Sequence, residues 1–210
     1  MKLSKTFNFI VFLFLAGCAS APIQYSGFLD DYDALIPSEI VEGLLVDKHP
    51  TKKIGDYSQF YIAPVIVYMI DGAKGEEVEP QKLEELAQFF HDQAVKALEE
   101  NYTVVDQPKD GALIIRAAIT DVVANKPYLN VHWSTTLAGF GLGGASMEAE
   151  FVDAKTKERV MAVVDKRKGK RSHYTKGLTK WGHTEDTINI WVGLLIEQLN
   201  NQHNQVKVDM

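Results

Sequence analysis

The sequence predicts an α+β fold, a two-layer sandwich in which two amphipathic helices pack on one face of a mixed β-sheet. Three observations predict it. Leu83, Leu86, Ala87, Phe90, Ala94, Ala97 and Leu98 recur at helical spacing, and Ile188, Trp191, Val192, Leu195 and Leu199 do so again near the C-terminus. Between these stripes, apolar or alternating segments gather in a block, which favours strands lying side by side over βα alternation. The 210 residues, 46% apolar and 24% charged, suit one globular domain.

In chain order, Lys2 and Lys5 make a positive start, and residues 7–15 are apolar at every position but Asn8. Crossing a bilayer needs about 20 apolar residues, so this stretch reads as a secretory signal peptide over residues 1–17. Leu15-Ala16-Gly17-Cys18 resembles the lipobox of bacterial lipoproteins, with cleavage between Gly17 and Cys18. The resemblance implies that Cys18 is acylated and becomes the new N-terminus. It is the sole cysteine, so no internal disulfide can form. Ala19, in place of Asp, implies passage to the outer membrane of a Gram-negative cell, with the domain facing the periplasm and held to the membrane by lipid.

Residues 18–25 are expected to be a linker and 26–57 an irregular segment packed on the domain, because Tyr25, Phe28, Leu29, Tyr32, Leu35 and Ile36 are too apolar for a solvated tether. The globular domain is expected over 58–202. Residues 60–70 form one apolar run, read as a buried strand with Pro64 at an edge or bulge. Pro80 suits the first turn of the first helix. Residues 102–105 and 113–123 read as strands. Leu129, Val131, Trp133 and Leu137 alternate with polar residues, as do Met147, Ala149 and Phe151 with Ser146, Glu148 and Glu150. Residues 153–157 turn, and 160–165 return as a hairpin partner. Thr184 is the expected N-cap of the second helix, and 203–210 a frayed tail.

Charge and motif content narrow the chemistry. Net charge is −6, and −8 without residues 1–17, which argues against nucleic acid as a partner. Gly139, Gly141 and Gly144 spell G-x-G-x-x-G, but a strand pattern follows where a dinucleotide site needs a helix, so a glycine-rich turn is expected and no cofactor. Its residues Leu137, Phe140 and Leu142 would form an apolar tip able to touch a membrane or another chain. Lys166, Arg167, Lys168, Lys170 and Arg171 crowd five cations into six residues, either a docking patch for an anionic partner or a solvated strand end. None of the six histidines has metal-ligand spacing; isolated surface histidines and no metal are expected. Glu148 and Glu150 share one strand face and read as solvated acids, not as an acid–base pair.

Several segments together are similar to an uncharacterised proteobacterial lipoprotein family, domain of unknown function 3313. They are Cys18, Tyr25-Ser-Gly-Phe-Leu-Asp-Asp31-Tyr32, Tyr57, Pro64-Val-Ile-Val67, Asn130, Gly143-Gly-Ala-Ser-Met-Glu-Ala-Glu150, Asp153-Ala-Lys-Thr-Lys-Glu158 and Val163-Val-Asp165-Lys-Arg167. Lys157 stands where the family commonly has Gly in the hairpin turn. The resemblance implies no assigned activity and so no catalytic residue. A looser, fold-level likeness is to periplasmic domains of envelope lipoproteins such as penicillin-binding-protein activators and the curli secretion subunit. The expected role is a non-catalytic binding or accessory domain whose partner is an envelope protein or cell-wall component. Two alternatives stay open. One is a self-assembling subunit of a secretion or pore-like complex, and the other is a cell-wall hydrolase using Glu148, Glu150 and His132.

Overall fold

A computed structural model describes residues 24–125, 143–168 and 179–208. The fold is the predicted one, a mixed open sheet with both helices on one face. The strands, in chain order, are β1 (Ile36–Pro37), β2 (Leu44–Lys48), β3 (Gln59–Ile62), β4 (Ile66–Val67), β5 (Thr103–Val104), β6 (Ala112–Val123), β7 (Gly144–Asp153) and β8 (Arg159–Lys168). Their spatial order is β1-β2-β8-β7-β6-β3-β5, with β4 also on β6. β3 and β4 run parallel to β6, and β3 runs parallel to β5; the remaining pairs are antiparallel.

The apolar run over 60–70 forms two short strands rather than one. Pro64 has no N–H for the ladder, so pairing to β6 stops between Ile62 and Ile66. Ala63 N–H still reaches Ile115 O, and Tyr68 N–H reaches Ile119 O. The first helix, α1 (Pro80–Glu99), begins with Pro80 in its first turn and buries Leu86, Ala87, Phe90, Ala94 and Leu98, the predicted stripe. The second, α2 (Gly182–Val208), differs from expectation at both ends. Thr184 lies inside it, and its hydroxyl donates to Gly144 O across the helix–sheet junction. The C-terminal end, expected to fray, stays helical because it has a surface to lie on. Gln202 Oε1 accepts Gly55 N–H, Asn200 Oδ1 accepts the Tyr102 hydroxyl, and His203 meets the Tyr102 ring edge-on.

The segment over 26–57 also departs from the irregular reading. Leu44–Lys48 pairs along its length with β8 and belongs to the sheet. Upstream, Leu29 is buried and packs with Phe28, Tyr32 and Leu35 on Leu45, Ala162 and Val164, the face opposite the helices. No helix among the described residues is long and apolar enough to cross a membrane.

Candidate functional site

Antiparallel register decides which side chains stand abreast, and here it lines up small ones. On the helix-facing side, Ala117 of β6 opposes Ala149 of β7, Ala149 opposes Val163 of β8, and Val163 opposes Val46 of β2. The rows on either side are bulky. One runs Ile115, Phe151, Met161 and Lys48; the other runs Ile119, Met147, Asp165 and Leu44. Two alanines and two valines between such rows leave a trough across four strands. Three inter-strand spacings make it roughly 14 Å long.

Helices cannot fill this trough. α1 presents Phe90 and Ala94 above it, and α2 presents Trp191, Val192 and Leu195; the Phe90 and Trp191 ring centroids lie 5.6 Å apart. A cavity of about 340 Å³ remains between the layers. Protein interiors pack like organic crystals, with few voids larger than a water molecule, so an opening this size is a feature of the fold. It falls in the range of small-molecule sites and has their usual character, apolar walls with a few polar groups. The lining residues that are buried, such as Phe151, Ile62 and Met161, mark the floor. Those that are exposed, Ile40, Lys48, Glu197 and Asn201, mark the mouth, beside β2 and the end of α2.

The acids flagged in the sequence are placed otherwise than expected. Glu148 is 1% exposed and Glu150 6%, both on the opposite face of the sheet. The polar half of the alternation was read as wet, but the segment beginning at Gln24 covers it. Glu148 Oε1 accepts Ser26 N–H at 2.7 Å, and Oε2 accepts the Tyr32 hydroxyl at 2.5 Å. The Tyr32 oxygen in turn accepts N–H groups from Gly27 and Leu29. Burial first, and the bond to Glu148 second, push the Tyr32 phenol above its usual range. Glu150 pairs with Arg116 at 2.6 Å, whose guanidinium lies over the Phe28 ring. These carboxylates therefore act as fasteners for the N-terminal segment.

Two further fasteners stand at the ends of β8. At the hairpin, Asp153 accepts from Lys155 and Thr156 N–H groups, the Tyr57 hydroxyl and Lys52. These bonds, the Thr156 N–H foremost, hold its carboxyl well below the usual range, and Tyr57 is pushed well up, by burial first. At the other end, Asp165 is buried under α2, pairs with Arg167 and accepts the Trp191 indole N–H at 2.9 Å. Burial raises the Asp165 carboxyl despite the opposing Arg167 charge.

Of the predicted cationic patch, Lys166 is exposed, while Arg167 is turned inward to Asp165 and only 16% exposed. Lys168 ends β8; Lys170 and Arg171 lie outside the described residues, as do Gly17, Cys18, His132, Leu137, Phe140 and Leu142. His183, expected at the surface, is buried in the first turn of α2. No group of three or more His, Cys, Asp or Glu side chains suited to a metal ion occurs among the described residues. The trough was missed because Ala117 and Ala149 carry no signal singly; only the register makes them neighbours.

The family model described as "Protein of unknown function (DUF3313)" matches residues 24–195. The chain belongs to that family. Many of the segments that carried the resemblance are the fasteners just described, Tyr32 with Glu148, Tyr57 with Asp153 and Asp165 with Arg167. No curated protein matches. Among solved structures, the chain is similar to the PelC dodecamer subunit of Paraburkholderia phytofirmans (11% identity, TM-score 0.40, covering 68% of this chain and 98% of that one). It is similar to the hypothetical protein CT253 of Chlamydia trachomatis (10% identity, TM-score 0.41, 69% and 99%). It is also similar to a putative neuraminyllactose-binding hemagglutinin homolog of Helicobacter pylori (13% identity, TM-score 0.40, 78% and 95%). Likeness at that level says nothing about function.

Proposed function

We propose that this family member is a lipid-anchored protein of the outer membrane whose periplasmic domain binds an apolar guest, as an accessory module and not as an enzyme. The anchor rests on the sequence alone: a positive start, a short apolar run, and the only cysteine placed directly after Leu15-Ala16-Gly17. The guest-binding role rests on one observation, the roofed trough made by Ala117 facing Ala149. Its walls are mostly apolar, and the Ser38 hydroxyl oxygen among them accepts Ile40 and Val41 N–H groups, which suits holding a molecule over converting it. On the far face, both Glu148 oxygens are held by a backbone N–H and a phenol, and Glu150 Oε1 pairs with the Arg116 guanidinium.

Extraction of the full protein from envelopes in mild detergent, followed by native mass spectrometry, tests both halves. The expected result is a polypeptide beginning at an acylated Cys18 and carrying a non-covalent apolar adduct lost on denaturation. An unmodified Cys18 contradicts the anchor. A bare domain that also ignores added apolar probes contradicts the binding role.

A further inference from the structure

The trough has a direction, and its mouth has a chemistry. It runs across the strands from Ala117 to Val46 and opens beside the turn that follows β1. Ile36 and Ile40, before and within that turn, are 66% and 80% exposed, the two most exposed large apolar side chains among the described residues. Exposed Ile40 and half-buried Val41 line the cavity together with the alanine floor. Single exposed apolar groups are ordinary, but Ile40 lines the cavity and Ile36 pairs with Val46, which extends the trough row to the outermost strand of the sheet. At the same mouth stand one cation, Lys48, and one anion, Glu197; neither forms an ion pair among the described residues.

We propose that the trough takes one acyl chain of a zwitterionic membrane lipid, drawn in over Ile36 and Ile40. An elongated trough, roughly 14 Å from end to end and lined by Leu, Ile, Val, Ala and Met side chains with the Phe90, Phe151 and Trp191 rings, suits an extended hydrocarbon tail. One cation and one anion at the mouth, each free of ion pairs among the described residues, suit a phosphoethanolamine head, with Lys48 for the phosphate and Glu197 for the ammonium. The inference rests on the guest-binding reading above and adds the guest's class and its route. Each methylene moved from water into the trough contributes in the same way as one moved into a bilayer. Transfer from membrane to protein is therefore nearly balanced for the tail, and the head contacts set its direction.

Trp191 lines the cavity and can report on it. The full protein carrying Trp133→Phe and Trp181→Phe leaves Trp191 as the only indole of three. It is mixed with vesicles of phosphatidylethanolamine and phosphatidylcholine whose chains are brominated, or with plain vesicles plus a brominated free fatty acid. Brominated lipid is expected to quench Trp191 by at least half. Adding Ala149→Phe, or Ala117→Leu should that variant not fold, is expected to abolish the quenching. Adding Ile36→Ser with Ile40→Ser is expected to slow its onset about tenfold and leave the plateau unchanged. Lys48→Glu is expected to raise the lipid concentration at half-effect severalfold. No quenching by lipid, or equal quenching in the filled variants, overturns the proposal. Quenching by the fatty acid alone overturns the lipid as guest. If a compact apolar dye binds while neither brominated probe quenches, this inference falls and the guest-binding reading stands.

Discussion

Lys157 sits at φ 63° in the β7–β8 turn, a conformation that costs an ordinary side chain roughly 1–2 kcal/mol and glycine little. The turn keeps a backbone that glycine would prefer, with lysine in it. Lys157→Gly is expected to stabilise the protein by about 1 kcal/mol in urea denaturation, after the extra unfolded-chain entropy of glycine is counted. Tyr32→Phe removes one acceptor for two N–H groups and one donor to Glu148. A loss of about 1–3 kcal/mol is expected, with faster amide exchange at Gly27 and Leu29 as the specific sign. Asp153 gives the pH dependence. Its folded carboxyl titrates below the unfolded value of about 3.9, so its contribution is complete above that value and drains away as pH falls through the folded one. Asp153→Asn is expected to flatten the acid limb of stability below about pH 4, measured as urea midpoints across pH.

At the scale of elements, periodicity was enough for α1, for the inward set Met147, Ala149 and Phe151, and for the β7–β8 hairpin, because each is a local pattern on one strand or helix. What it could not supply was anything set by a distant partner. Glu148 and Glu150 look wet along β7 and are dry because residues from Gln24 onward return across that face. Residues 201–208 look polar and are helical because Gly55 lets α2 lie close, its missing side chain leaving room where a Cβ would stand 2.5 Å from the Gln202 Cβ. Gly55→Ala should therefore push α2 outward, destabilise by about 1–3 kcal/mol, and raise amide exchange over the last two turns of that helix. A change confined to Gly55 itself would show that α2 is not seated there.

At the scale of the whole molecule, the sheet has two differently used faces. One is fastened to the N-terminal segment by Glu148, Glu150 and Arg116; the other is roofed by helices that leave the alanine trough open. That division places residues 24–35 and the cavity on opposite faces of one sheet. It also separates two explanations of the void. A packing defect holds no guest, so larger side chains there would change packing alone. A binding site would be destroyed by the same change.

Titration of the full protein and of Ala149→Phe with an apolar fluorophore that brightens on leaving water separates the two most directly. A saturable rise with one site per chain is expected for the native sequence, and none for the filled variant. An unsaturable rise of equal size in both would show that the space between sheet and helices holds nothing.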